Sequence, residues 1–231
     1  MTKLLLGIDD SGRGPVLGPM VLAGCLMKEE AEEGFRNLGI KDSKLLSPKR
    51  RDELVKLIKE QVISSDFQMA TPVEIDTGFG EGLNLNLVEA LLAANIINNL
   101  TAPLNSEQKS NIKIILDCPS VNLEAWKKQL MKYVKEKSLE KNIRCEHKAD
   151  FKYPVVSAAS IIAKTTRDAE IEKIKEQMGI NFGSGYPSDP NTIKFLKENA
   201  TNPKYKGIFR ESWQTWKDAV KNLEKDQKKL F

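Results

Sequence analysis

The chain has 231 residues, long enough to bury a substantial core, and 36 lysines and arginines against 32 carboxylates leave a net charge of +4, too small by itself to declare a nucleic-acid partner. Three widely spaced cysteines give no support to a disulfide framework or a CxxC metal site, and the single histidine excludes HExxH zinc sites. No apolar run approaches the roughly 20 residues of a membrane helix, and the N-terminal apolar stretch, stopped by two aspartates, is not a signal peptide, so a cytoplasmic protein in a reducing compartment is expected.

Four of the five residues from Leu4 to Ile8 are Leu or Ile without polar alternation, the pattern of a central strand covered on both faces. It stops at Asp9 and Asp10, followed by the glycine- and proline-rich turn Gly12 to Pro19. Met20 to Met27 reads as a second strand returning antiparallel to the first, and the acidic stretch Glu29 to Glu33 as a solvent-facing turn. Ser47-Pro48 has the signature of a helix start, an N-cap followed by proline, for a helix to about Gln61 with apolar Leu54, Leu57 and Ile58. A strand over Val62 to Ala70, a short capped helix from Thr71-Pro72 and a helix over Leu83 to Leu100 come next. Ala102 to Ser110 reads as a loop, Ile112 to Leu116 as a third clear strand ending at Asp117, Leu123 to Lys137 as a helix and Ile143 to His147 as a short strand. From Val155 to about Gln177 the sequence begins small and apolar and turns charged, a helix packed at its start and exposed later. After the loop Asn181 to Pro190, helices are predicted near Asn191 to Asn199 and from Ser212 to about Lys225. Strands interleaved with helices, then helices alone, give an α/β fold with a mixed sheet flanked by helices.

Asp9 ends the first strand, Asp117 ends the third and Asp150 follows the short strand, so three chain segments each bring an acid to a strand end, where sites assemble in open α/β sheets. Consecutive strand residues point to opposite faces, so Asp9 and Asp10 can serve one site only if the chain leaves the pleat at Asp10, a departure that Gly12 and Gly14 permit. A carboxylate set with no histidine suits Mg²⁺ or Mn²⁺ rather than zinc. Two such ions about 3.5 to 4 Å apart activate a water and stabilise the leaving oxygen of a phosphodiester.

GIDDSGRGPVLGP at 7–19, KDSK at 41–44, LDCPS at 116–120, HKADFKYPVVSAASIIAKTTRD at 147–168 and GSGYPSDP at 183–190 together resemble ribonuclease HII in its archaeal-style form, in the family's order and over most of the chain. The resemblance implies an RNase H-like catalytic domain over 1–180 and a C-terminal helical, substrate-binding part over 181–231. It implies hydrolysis of the RNA strand of RNA/DNA hybrids and nicking 5′ to ribonucleotides embedded in duplex DNA, by two Mg²⁺ or Mn²⁺ ions, leaving 3′-hydroxyl and 5′-phosphate ends. Carried over by motif, the catalytic and metal-binding acids are Asp9, Asp10, Asp117 and Asp150. Gly12, Arg13 and Gly14 match the loop that reads the ribose 2′-hydroxyl, the group that separates RNA from DNA. Lys44 matches a phosphate contact and Tyr186 the tyrosine that packs on the sugar at the RNA–DNA junction. One position departs: the family's second acid is ordinarily Glu in a DEAGRG-type run, and here it is Asp10, one methylene shorter.

Ser157, Ser160 and the three tryptophans read as packing residues and His147 as structural. The tail Gln227-Lys228-Lys229-Leu230-Phe231 reads first as a frayed basic end, and it also resembles a truncated peptide by which replication proteins bind a sliding clamp, lacking its second aromatic. A monomer without membrane contact is expected. A strand, an Asp and a glycine turn also open sugar-kinase and actin-like ATPases, but these need a duplicated domain, and the chain has no repeat.

Overall fold

The computed structural model of the chain describes residues 3–40 and 46–228. It divides into two compact units: unit 1 takes Met1–Ser11, Val21–Met69 and Asn86–Thr166, and unit 2 takes Gly12–Met20, Ala70–Leu85 and Arg167–Phe231. The strands are β1 (Leu4–Ser11), β2 (Met20–Lys28), β3 (Ser64–Ala70), β4 (Ile112–Asp117) and β5 (Ile143–Glu146). Helices α1 (Glu32–Asn37) and α2 (Pro48–Gln61) follow β2, and α3 (Pro72–Gly80), α4 (Leu85–Thr101) and α5 (Ser106–Asn111) lie between β3 and β4. After α6 (Leu123–Tyr133) and β5 come α7 (Ala149–Lys152), α8 (Pro154–Met178), α9 (Pro190–Asn199) and α10 (Gln214–Lys228).

In unit 1 the sheet order is β3-β2-β1-β4-β5, a mixed sheet with β1 at its centre, antiparallel to β2 and parallel to β4. The uninterrupted apolar run of β1 is accordingly buried along almost its whole length. Two glycines let helices lie directly on the sheet. A Cβ on Gly7 of β1 would sit 2.5 Å from the carbonyl carbon and oxygen of Val155 and 2.6 Å from the amide nitrogen of Val156, so the start of α8 rests on bare backbone. A Cβ on Gly24 of β2 would collide with Ile96 of α4. Sheet residues Leu5, Ala23 and Cys25 share a core with Leu54 and Ile58 of α2 and with Val155, Ala158 and Ile162 of α8.

Unit 2 has its own core around Val16, Leu17, Ile171, Phe182 and Phe209. Phe195 gathers the rings of Phe182, Tyr205 and Phe209 at centroid distances of 5.8, 5.0 and 5.9 Å. Asp76 of α3 ties down the chain entering α10 by accepting the amides of Glu211 and Ser212 at 2.7 and 3.0 Å. No helix among the described residues is long and apolar enough to cross a membrane.

Four departures from the sequence reading have local causes. The β1 strand runs on through Asp10, paired with Leu22, to Ser11, so the chain leaves the pleat only at Gly12, where φ is 96°. The expected loop over Ala102 to Ser110 contains the start of α5, nucleated by a capping box in which Asn105 accepts the Gln108 amide at 2.9 Å and Gln108 accepts the Asn105 amide at 3.0 Å. Helix α6 ends at Tyr133 rather than Lys137: Val134 is extended, and the Lys137 ammonium turns back onto the Met131 and Lys132 carbonyls, closing the helix from outside it. The acidic stretch is a 3₁₀ turn leading into α1, which buries Phe35.

Gly7→Ala is expected to lose about 3 kcal/mol in urea unfolding, because its methyl meets backbone. Gly80→Ala, where nothing lies within 4 Å, stays within about 0.5 kcal/mol of wild type. Burial pushes the Cys25 thiol up to about 12. It should resist alkylation at pH 8 in the native protein and react once urea is added. The stability that the protonated thiol contributes is whole below its unfolded pKa of about 8.5 and is lost as pH rises toward the folded value.

Candidate active site

The acids of unit 1 are brought together by strand register. The last parallel pair of β1 and β4 is Ile8↔Leu116, so Asp9 and Asp117 are the next residues on the two neighbouring strands. Asp9 is buried, and Asp10 and Asp117 are half-buried. Burial above all, then the negative charges of Asp10 and Asp117, hold the Asp9 carboxyl well above the usual carboxylate range. Against this work a hydrogen bond from the Ser160 hydroxyl of α8 and the Asp10 amide, which donates to Asp9 Oδ1 at 2.8 Å.

Asp150 arrives by a different route. The chain turns after β5 at Lys148, which has φ 55° and is the sole non-glycine residue with positive φ among the described residues. The Asp117 carboxylate accepts the Ala149 amide at 2.9 Å, so the acid at the end of β4 also anchors the first turn of α7, and Asp150 is the next residue. From the far side, the Ser157 hydroxyl donates to the Asp150 carbonyl. His147 is structural, its Nδ1 3.0 Å from the Cys118 carbonyl. Glu146, in register with Asp117, does not add to the negative charge: Lys152 and Tyr153 donate to it at 2.8 Å each, and its pKa is lowered, first by Lys152.

As the side chains stand, no group of three or more Asp, Glu, His or Cys among the described residues closes tightly enough to hold an ion. The donors nevertheless fit a hard divalent cation. They are carboxylates only, and buried Asp9 is pressed by two others, a charge excess that a cation relieves.

The sugar-reading candidates lie in unit 2, and two of them meet: the Tyr186 ring approaches Gly14, with Cε1 3.9 Å from where a Cβ would stand. Two fully buried arginines hold this region. Arg210 donates to the carbonyls of Gly12, Arg13 and Gly18 at 2.7, 3.0 and 3.0 Å. Arg167 donates to those of Leu17, Pro19 and Ser184 at 3.2 to 3.4 Å, and its guanidinium carbon lies 4.9 Å from the Tyr186 ring centroid. Burial lowers the Arg167 pKa, with Tyr186 and Asp168 opposing. Lys44 and residues 229–231 of the tail lie outside the described residues. Sequence reasoning missed Ser160, Arg167 and Arg210; the first looked like a small packing residue, and the partners of the arginines are backbone carbonyls that leave no mark in the sequence.

Among solved structures, the chain is similar to ribonuclease H2 of Pyrococcus horikoshii, with a TM-score of 0.81 and 35% identity over 96% of this chain and 99% of that one. It is also similar to the ribonuclease HII in the PCNA complex from Archaeoglobus fulgidus, with a TM-score of 0.78 and 36% identity over 91% and 95%. The fold is thus that of a metal-dependent endoribonuclease of the ribonuclease H class. The model of the family Ribonuclease HII matches residues 6–216. The ribonuclease HII of Methanocaldococcus jannaschii is 41% identical over 93% of this chain and 94% of its own length, and that of Thermococcus sibiricus 42% over 96% and 93%. The chain belongs to the ribonuclease HII family and acts on RNA/DNA hybrids.

A positive φ costs a side-chain-bearing residue about 1 to 2 kcal/mol. Lys148→Gly should therefore stay within about 1 kcal/mol of wild type in thermal unfolding, while the β-branched Lys148→Ile loses about 2 kcal/mol.

Proposed function

We propose that the chain nicks duplex DNA on the 5′ side of embedded ribonucleotides, as well as cutting the RNA strand of hybrids, and leaves 3′-hydroxyl and 5′-phosphate ends. Asp9, Asp10, Asp117 and Asp150 are the assigned ligands of two Mg²⁺ or Mn²⁺ ions. When bound, the ions supply an activated water and neutralise the leaving oxygen. The observation that carries this assignment is the strand register that sets buried Asp9 beside Asp117 on the neighbouring parallel strand, with Asp10 next to Asp9 in the chain. The residues of the chain do the rest. Ser160 orients the Asp9 carboxylate, and Asp117 holds α7 and hence Asp150. Gly12, Arg13, Gly14 and Tyr186 contact the ribose, and Lys44 a phosphate. Residues 1–180 carry catalysis and 181–231 substrate binding, in a cytoplasmic monomer. Binding of a sliding clamp is supported by the PCNA complex of the Archaeoglobus fulgidus relative, and Gln227–Phe231 is the segment we assign to it. Deleting these five residues should abolish clamp binding in a pull-down, and unchanged binding removes the assignment.

The deciding measurement is cleavage of duplex DNA carrying one ribonucleotide, with Mg²⁺, Mn²⁺ or EDTA. A nick 5′ to the ribonucleotide that needs the metal is expected; cleavage in EDTA, or none with either metal, overturns the reading. Asp10→Asn should lose at least about a hundredfold in kcat/KM while Asp10→Glu retains activity; activity of Asp10→Asn equal to wild type would remove Asp10 from the ligand set. Asp9→Asn should lose activity yet gain about 1 kcal/mol in metal-free unfolding, because a buried charge beside two others is gone.

A further inference from the structure

Arg210 is fully buried and uses three different nitrogens on three carbonyls: Nη2 on Gly12, Nη1 on Arg13 and Nε on Gly18. In a planar trans peptide the N–H points opposite to the C=O. With the Gly12 and Arg13 carbonyls turned onto the guanidinium, the amides of Arg13 and Gly14 are turned away from it, two consecutive donors on one side of the turn. Such successive N–H groups form a concave donor site. Gly14 is exposed and Arg13 half-buried, whereas Gly12, with φ 96°, is buried with its Cα against Arg167: a Cβ there would lie 2.6 Å from that side chain. Arg167 joins the 17–19 stretch to Ser184 and lies against the Tyr186 ring.

We propose that Arg210 is a specificity-setting positioning residue. It acts through the Gly12 and Arg13 carbonyls to aim the Arg13 and Gly14 amides at a ribose 2′-hydroxyl, and Arg167 does the same for the Tyr186 ring. The inference rests on the reading above that this turn contacts the sugar. Lysine keeps the charge but has one nitrogen where Arg210 uses three, so Arg210→Lys leaves carbonyls unheld and the turn free to rotate its peptides.

The test uses the full chain and a duplex with one ribonucleotide as substrate, cleaved in Mn²⁺ with all-DNA duplex of the same sequence as competitor. Arg210→Lys and Arg167→Lys should each lower kcat/KM for the ribonucleotide duplex about tenfold or more, the size of a lost hydrogen bond to the sugar. The inhibition constant of the all-DNA duplex should not change. A merely structural role weakens both together, and that result overturns the proposal, as does an unchanged kcat/KM. Should the variants fail to fold, amide NMR of the unaltered protein decides: the Arg13 and Gly14 signals must shift with the ribonucleotide duplex and not with the all-DNA duplex, and equal shifts overturn the proposal. Failure of the unaltered protein to cut the ribonucleotide duplex is a different result, which overturns the functional reading and this inference with it.

Discussion

The arrangement of unit 1 depends on the absence of one side chain. At Gly7 the backbone of the central strand is approached by the backbone at the start of α8, an approach that any other residue blocks. With the helix seated there, Ser160 meets Asp9 and Ser157 meets the carbonyl of Asp150. One helix thus supports acids from two distant chain segments, and its small residues, Ala158, Ala159 and Ala163, keep it close to the sheet. The small apolar beginning of α8 is therefore a geometric requirement of the acid cluster as much as a packing preference.

The acids around Asp9 and the arginines around Gly12 bury charge in opposite ways. Unit 1 buries Asp9 and Asp150, and the cause that most perturbs Asp9 is burial itself. Glu146, in register with Asp117, is held by Lys152 and Tyr153. Unit 2 buries Arg167 and Arg210 and gives each a set of carbonyl acceptors. A buried guanidinium saturated with hydrogen bonds organises a chain, whereas crowded buried carboxylates strain it and mark a site built for something that the chain itself does not contain.

Much of this was legible in the sequence because it is written in runs. The apolar stretches of β1, β2 and β4 stand out by composition, and the aspartates that end the apolar runs of β1 and β4 are conspicuous because a burial model wants something else there. The antiparallel return of β2, expected from its apolar run, is the pairing observed. What stayed hidden is carried by single polar contacts. The start of α5 is a side-chain and backbone exchange between Asn105 and Gln108 within a stretch that reads as a loop. The turn before Asp150 uses a left-handed lysine, which no propensity foretells. Arg210 finds the Gly12 carbonyl 198 residues away, so its purpose is invisible until the chain is folded. Motif resemblance named the turn it supports but gave no reason for the shape of that turn.

The pairing of Leu4 with Ile112 joins residues more than a hundred positions apart, with α1 to α5 and two strands between them. Closing so long a loop before its contacts can reward it makes this step slow. Asp9 and Asp117 consequently become neighbours only when the centre of the sheet is complete. A partly folded chain can have most of its helices and still lack the acid pair, so in a refolding experiment the approach of Asp9 to Asp117 times the closure of the sheet, not the formation of secondary structure.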